Sequence, residues 1–265
     1  MARRLALITG ASAGIGAAFV RAYAKRGCDL VLVARRKERL DEMAKDLRAK
    51  HGLEVQALSV DLASPDANDQ IMGGLQTIGR IPDVLVNNAG YALTGMFTQS
   101  GWKDHASFIQ VLAIGPTELI HRLMPAMLAQ KYGRIINVAS LAGIMPAPPG
   151  HTLYAAVKAY MIKMSQSLNM EGKAQGVHAT ALCPGFTFSE FHDVTGTRDK
   201  VSQLPKWLWQ QAEPVVEAGI RAVEIGKPVE VPGFANKMLA GFFRTLPDPI
   251  GNSIVGSQAQ KFRKT

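Results

Sequence analysis

Cysteine is scarce: Cys28 and Cys183 are the only two in 265 residues. Two thiols cannot build a disulfide framework. Each falls in or beside an apolar run, so both are expected as inert core thiols in a reducing compartment. Long apolar runs are missing as well; no uninterrupted stretch reaches the length of a membrane-spanning helix. The opening Met1-Ala2-Arg3-Arg4 is basic, but the apolar run Leu5 to Ile8 stops at Thr9-Gly10. That is too short for the core of a secretory signal. The expectation is a cytoplasmic protein with no integral membrane segment. The six histidines show no metal-ligand spacing, so no metal is expected. Ser140 lacks the G-x-S-x-G elbow of a hydrolase, and His151 alone does not make one. The net charge is +9, yet no aromatic-plus-basic array accompanies it, so nucleic acid is not an expected partner.

What the chain does have is apolar substance. Hydrophobic residues make up 47% and charged residues 19%, enough to bury a large core in one α/β domain over residues 1–265. Short apolar runs alternate with longer amphipathic ones. Leu5 to Ile8, Leu30 to Val33, Val55 to Val60, Val84 to Val86, Arg134 to Val138 and Val177 to Leu182 read as strands. Ala17 to Arg26, Glu38 to Lys50, Asp66 to Ile78, Ser107 to Gln130, Tyr154 to Gln175 and Glu213 to Ile225 read as helices. Continuously apolar strands separated by helices predict a Rossmann-like, doubly wound parallel sheet with helices on both faces. The pattern breaks over 186–211 and in the Pro/Gly-spaced extension 228–265. No repeat or linker is evident.

The first strand runs into Thr9-Gly10-Ala11-Ser12-Ala13-Gly14-Ile15-Gly16 and then a helix. Glycines let this backbone turn tightly and approach a pyrophosphate, and the helix N-terminus offers unpaired N–H groups. The spacing is G-x-x-x-G-x-G rather than G-x-G-x-x-G. The second strand ends in Val33-Ala34-Arg35-Arg36. An NAD site wants an acid near there for the ribose 2′-hydroxyl, whereas arginine suits the 2′-phosphate of NADP. Ala34 supplies no acid, and Asp29 begins the strand and so lies at its wrong end. The expected cofactor is therefore NADP(H), held partly by Arg35 and Arg36.

With these residues in place the sequence resembles the short-chain dehydrogenase/reductase family. Thr9 to Gly16 looks like that family's T-G-x-x-x-G-x-G turn, whose Gly10, Ser12, Gly14, Ile15 and Gly16 would meet the cofactor. Asp61-Leu62 resembles the pair whose acid meets the adenine. Asn87-Asn88-Ala89-Gly90 is the N-N-A-G motif, which implies cofactor contacts from Asn87, Ala89 and Gly90. Ser140 matches the family's catalytic serine, and Tyr154-Ala155-Ala156-Val157-Lys158 its Y-x-x-x-K. Cys183-Pro184-Gly185 matches the P-G turn beside the nicotinamide, with Thr187 and Ser189 following where the family places hydroxyls on the carboxamide. The motifs span roughly residues 5 to 191, each after a strand.

The resemblance implies that Ser140, Tyr154 and Lys158 are catalytic. Tyr154 and Lys158, four apart on a helix, share one face. A nearby ammonium would favour the phenolate, so Tyr154 would exchange a proton with a carbonyl or alcohol oxygen that Ser140 orients. Lys158 would also hold the nicotinamide ribose. One position departs. Val111-Leu112-Ala113-Ile114-Gly115 stands where the family has V-N-x-x-G, putting Leu112 at the place of an asparagine that holds a relay water. Either the register differs, Gln110 or another group substitutes, or turnover is weak. In the last case the chain would be a cofactor-binding sensor or scaffold.

The loops after the strands are apolar: Tyr91, Leu93, Met96 and Phe97; Ile144 to Pro149; Phe186, Phe188 and Phe191; and Trp207, Leu208 and Trp209. They predict an uncharged, mainly apolar carbonyl or alcohol substrate, with 186–211 as a lid. Pro232, Pro247 and Pro249 are expected to break any long amphipathic helix in the basic tail. That tail would then pack on the core or on a partner subunit of a homodimer or homotetramer.

Overall fold

Every apolar run expected as a strand pairs with a neighbour in a parallel ladder. The structure is a computed structural model, and it describes residues 3–93, 95–188 and 208–261. In chain order the first half contains β1 (Leu5–Thr9), α1 (Gly14–Lys25), β2 (Asp29–Ala34), α2 (Lys37–His51), β3 (Val55–Ser59), α3 (Ala67–Ile78) and β4 (Val84–Asn87). The second half contains α4 (Trp102–Ile109), α5 (Gly115–Ala129), β5 (Gly133–Val138), α6 (Thr152–Gly172), β6 (Val177–Leu182), α7 (Ala212–Glu224), β7 (Val229–Glu230), α8 (Phe234–Thr245) and α9 (Asp248–Lys261). The sheet order is β3-β2-β1-β4-β5-β6-β7, and all the pairings are parallel. The order reverses between β1 and β4. A crevice for a ligand opens there, outside the strands' carboxyl ends.

Alternate residues of each strand serve opposite faces, which is why the strands read as unbroken apolar runs. Ile8, Leu30, Leu32 and Val86 pack under Phe19 of α1, Leu40 of α2 and Val215 of α7. Leu5, Leu7, Val31 and Leu85 pack under Ile71 of α3, Leu123 of α5 and Leu168 of α6. A fully buried leucine of this kind contributes about 1.5–3 kcal/mol. Asp29 is indeed at the far end of the sheet: it accepts from the Glu54 backbone N–H at 2.9 Å and pairs with Arg80 at 2.7 Å.

Two departures from the expected elements bear on function. The helix expected over Ser107 to Gln130 is interrupted by a π turn at Gln110–Ile114, in which the Gly115 N–H reaches back to the Gln110 carbonyl. Pro116 explains the break: it has no N–H for the Leu112 carbonyl, so the regular ladder cannot run through. The tail, in turn, is ordered into β7, α8 and α9. Pro232 and Pro247 flank α8 rather than breaking it, and Pro249 lies in the first turn of α9, where a missing N–H is harmless.

Candidate active site

The turn between β1 and α1 is locked from beside. The Asn88 side chain donates to the carbonyls of Thr9 at 2.9 Å and Gly10 at 3.2 Å. The Thr9 hydroxyl accepts from the backbone N–H groups of Asn88 and Ala89 at 3.0 and 3.1 Å. Gly10 has φ +66°, and a Cβ on Gly16 would stand 2.0 Å from the Gly10 carbonyl oxygen. No side chain fits at Gly10 or Gly16, so the backbone itself forms the wall there. Ala13 is the N-cap of α1 and makes no side-chain cap, and the first turn carries no acid. The helix therefore presents its N–H groups and positive end to the crevice, a cradle suited to a pyrophosphate.

Arg36, the residue before α2, lies against this turn: its Nη2 and Nε are 3.1 and 3.3 Å from Ser12 Oγ. Arg35 is exposed, and its carbonyl accepts from Ser59 Oγ at 3.1 Å. Asp61 is exposed at the end of β3 and accepts from the Ala63 N–H at 3.1 Å, with Leu62 half-buried beside it. Asn87 points inward. Its amide donates to Asn137 at 2.9 Å, and Asn137 donates to Ser165 at 2.9 Å, so this side chain braces β4 against β5. Gly90 stands beside Leu112, whose δ carbons would be 3.6 Å and more from a Cβ placed there.

Ser140, Tyr154 and Lys158 meet where β5 ends and α6 begins. Ser140 Oγ accepts from the Ala142 N–H at 3.1 Å, and the Ser140 hydroxyl is hydrogen-bonded to the Tyr154 phenol. Lys158 is 6% exposed; its Nζ donates to the Val138 carbonyl at 2.7 Å and lies 5.6 Å from the Tyr154 ring centre. Burial pushes the Lys158 amine down to about 8 and pushes the Tyr154 phenol up, against the pull of the Ser140 hydrogen bond. The expected lowering by the ammonium is therefore not found: burial, opposed only by the Ser140 hydrogen bond, decides the direction. The Leu141 N–H donates to the Pro184 carbonyl at 2.9 Å, which fixes the Pro184-Gly185 turn beside this group. Thr187 is buried and donates to the Gly185 carbonyl at 3.2 Å.

A glycine cradle at the switch point, with a serine, a tyrosine and a lysine converging beside it, corresponds to a known family. Residues 4–199 match the short chain dehydrogenase family. The chain belongs to that family. It is 36% identical over 185 residues to the oxidoreductase UcpA of Salmonella typhimurium, covering 69% of each chain. A solved short-chain dehydrogenase from Sphingobium yanoikuyae in complex with NADPH is 31% identical, with TM-score 0.80, over 92% of this chain and 96% of that one. The bulky-bulky ketone specific alcohol dehydrogenase of Comamonas testosteroni is 26% identical, with TM-score 0.75, over 92% and 95%.

Within this short-chain dehydrogenase the departure at Leu112 is structural. Leu112 is 2% exposed and packs with Phe108, Val111 and Val157, against Tyr91, Leu93 and Tyr154. Tyr91, expected to line the substrate side, packs into this plug edge-on to Phe108 at 5.4 Å, while Leu93 both touches the plug and lines a small cavity beside Tyr154. Ile144 and Met145 likewise pack on the core rather than standing free.

This cavity, of about 10 Å³, is lined by Leu93, Met96, Phe97, His105, Thr152 and Leu153, among others. His105 is a residue the sequence reading missed. Its Nε2 bonds the Phe97 carbonyl at 2.9 Å, while Nδ1 is buried without a partner. A lone histidine in an amphipathic helix carries no signal of that placement. Of the expected lid, 186–188 and 208–210 are tied together by the Phe188–Gln210 and Gln210–Phe186 backbone bonds, both 2.9 Å. Trp209 stacks on Phe188 at 4.8 Å. Ser189, Phe191 and Trp207 lie outside the described residues.

Proposed function

We propose that this chain is an NADP(H)-dependent oxidoreductase that interconverts an uncharged, mainly apolar carbonyl compound and its alcohol. The observation that carries the reading is the convergence of Ser140, Tyr154 and Lys158 at the mouth of the glycine cradle. NADP(H), when bound, supplies or accepts the hydride. The backbone of Gly10 to Gly16 would receive the pyrophosphate, with Ser12, Gly14 and Ile15 at the turn. Arg36, with Arg35, would receive the 2′-phosphate, and Asp61 and Leu62 the adenine. Backbone groups of Asn87, Ala89 and Gly90 would line the middle of the crevice. Pro184, Gly185, Thr187 and Ser189 would face the carboxamide, and Tyr154 and Lys158 the ribose.

In the reducing direction Tyr154 gives its proton to the carbonyl oxygen. A phenol whose pKa burial has raised keeps that proton available, and the Ser140 hydroxyl orients the same oxygen. Met96, Phe97, Leu93 and Leu153 support an apolar substrate, with His105 Nδ1 offering a lone acceptor. Assembly as a homodimer or homotetramer is supported by Trp102, Ile114 and Tyr160, large apolar groups left exposed on α4, the π turn and α6. A cytoplasmic location is supported by two buried free cysteines, and no described helix is long and apolar enough to cross a membrane.

The test is NADPH oxidation against alkyl and aryl ketones of increasing size and the matching keto acids. The expected result is turnover with kcat/KM rising with apolar size. A consistent preference for keto acids overturns the substrate reading. Tight NADPH binding with no turnover on any carbonyl compound would instead mark a sensor or scaffold.

A further inference from the structure

The tail carries a surface that the redox site does not use. On α8, Phe234, Met238 and Phe242 recur every fourth residue and are 79%, 60% and 51% exposed. Residues at this spacing share one side of a helix, so the three form a continuous apolar stripe facing away from the body. Space remains beside it: a Cβ added at Gly241 would meet nothing within 4 Å. The opposite side of α8 is anchored. Asn236 is buried and donates to Gln210 Oε1 at 2.9 Å and to the Pro232 carbonyl at 3.1 Å, and Ala240 is buried with it. Ile250 of α9 adds another exposed apolar group, at 51%.

The charge on α8 itself has one sign. Lys237 and Arg244 are two turns apart and flank it on the same side. No acid lies on α8 between Phe234 and Thr245. Glu230, below the helix, is shared between Lys237 at 3.2 Å and Lys227, and so does not neutralise both. An apolar ridge edged by basic side chains is complementary to an anionic lipid surface, where each Lys or Arg strengthens attachment about fivefold. It is not complementary to itself. A two-fold contact with α8 antiparallel to its copy would set the basic edge of Lys237 and Arg244 against the basic edge of the other copy.

We infer that α8 and the start of α9 dock the protein peripherally on an anionic phospholipid bilayer, with Phe234, Met238 and Phe242 entering the headgroup region. The position of the surface gives this a purpose. A Cβ on Gly185 would lie 2.5 Å from Asn236 Oδ1, and one on Gly251 would lie 3.0 Å from Pro146. The inner side of α8 and the start of α9 therefore border the loops after β5 and β6 that frame the active site, so a bilayer on the outer side would lie one helix away from the crevice. Attachment does not depend on the redox reading, because it is measured without turnover.

The test is co-sedimentation of the full chain with phosphatidylcholine vesicles, with and without phosphatidylserine. Binding is expected with phosphatidylserine, weakened by salt, and at least about tenfold poorer without it. Phe234→Ser/Met238→Ser/Phe242→Ser should abolish it, and Lys237→Gln/Arg244→Gln, which leaves Glu230 its Lys227 partner, should lower it by about tenfold or more. These side chains are exposed, so folding is not at stake; an environment-sensitive fluorophore on Phe234→Cys, beside two buried native cysteines, gives a second readout. A blue shift on phosphatidylserine vesicles is expected. Failure of the wild-type chain to sediment, an unshifted fluorophore, or a triple variant that still binds would overturn the proposal. So would a triple variant that binds no vesicles but also falls from oligomer to monomer by light scattering, because the face would then be a subunit contact.

Discussion

The guanidinium of Arg36 rests on the hydroxyl of Ser12, 3.1 Å from Nη2 to Oγ. The contact joins the end of β2 to the turn between β1 and α1, the two places that a 2′-phosphorylated adenosine ribose and a pyrophosphate must reach together. A planar fork already held at that distance loses little freedom on binding phosphate.

Arg36→Ala should therefore weaken NADPH binding by about ten- to a hundredfold, the range of roughly 1.5–3 kcal/mol for a charge-assisted contact. NADH binding should change little. Fluorescence titration of both cofactors measures this. Equal losses for the two would remove Arg36 from the 2′-phosphate and leave it as a brace for Ser12.

Tyr154→Phe keeps the ring, its packing against Leu112 and its place on α6, and removes only the transferable proton. Turnover should fall by about 10²–10⁴-fold, with the NADPH dissociation constant nearly unchanged. More than about a tenth of wild-type activity in this variant would assign the proton to another group, with His105 the first to examine.

Lys158 makes stability depend on pH in a defined direction. Its amine titrates at 10.5 when free and at about 8 in the folded protein. Below about pH 8 both states hold the proton, and the cost of the buried charge is fully present. Between about 8 and 10.5 the folded state has released it and the unfolded state has not, so stability rises with pH. Lys158→Met removes the charge. Without cofactor, the variant should outlast the parent at pH 7 by up to about 3 kcal/mol, and the gap should close towards pH 10.5. Denaturation of both proteins across that range measures the slope, which is independent of the lost Val138 hydrogen bond. A gap constant with pH would mean that Lys158 is not depressed.

Much of this was legible in the chain. Buried parallel strands announce themselves as unbroken apolar runs, so the six longer strands fell close to their expected places. The site residues that lie at strand ends were legible for the same reason: β5 delivers Ser140, and α6 carries Tyr154 and Lys158 on one face. What stayed hidden depends on contacts between distant segments. β7 is two residues long and exists only because Ala181 and Leu182 of β6 pair with Val229 and Glu230. The tail helices are hard to see in the sequence because a proline marks a helix boundary as readily as an interruption. Tyr91 packs into the plug while Leu93, two residues on, also lines the cavity, and an apolar loop does not reveal which way its side chains turn.

Leu112 poses the sharpest question for the chemistry, and the π turn offers an answer. The family's asparagine would hold a water that passes protons towards the lysine. Here the side chain is apolar and buried, and Pro116 has no N–H to give the Leu112 carbonyl the donor that a regular α-helix would supply. A water bonded to that carbonyl would need nothing from the side chain. Leu112→Asn should then leave kcat within about threefold of wild type, since the relay already has its acceptor, while burial of an amide among Phe108, Val111 and Val157 lowers stability by about 1–3 kcal/mol. Urea denaturation and steady-state kinetics of the same preparation separate the two effects. A rise in kcat of tenfold or more would show that the missing amide had been limiting, and a comparable fall in a folded variant would make the apolar plug itself part of the active geometry.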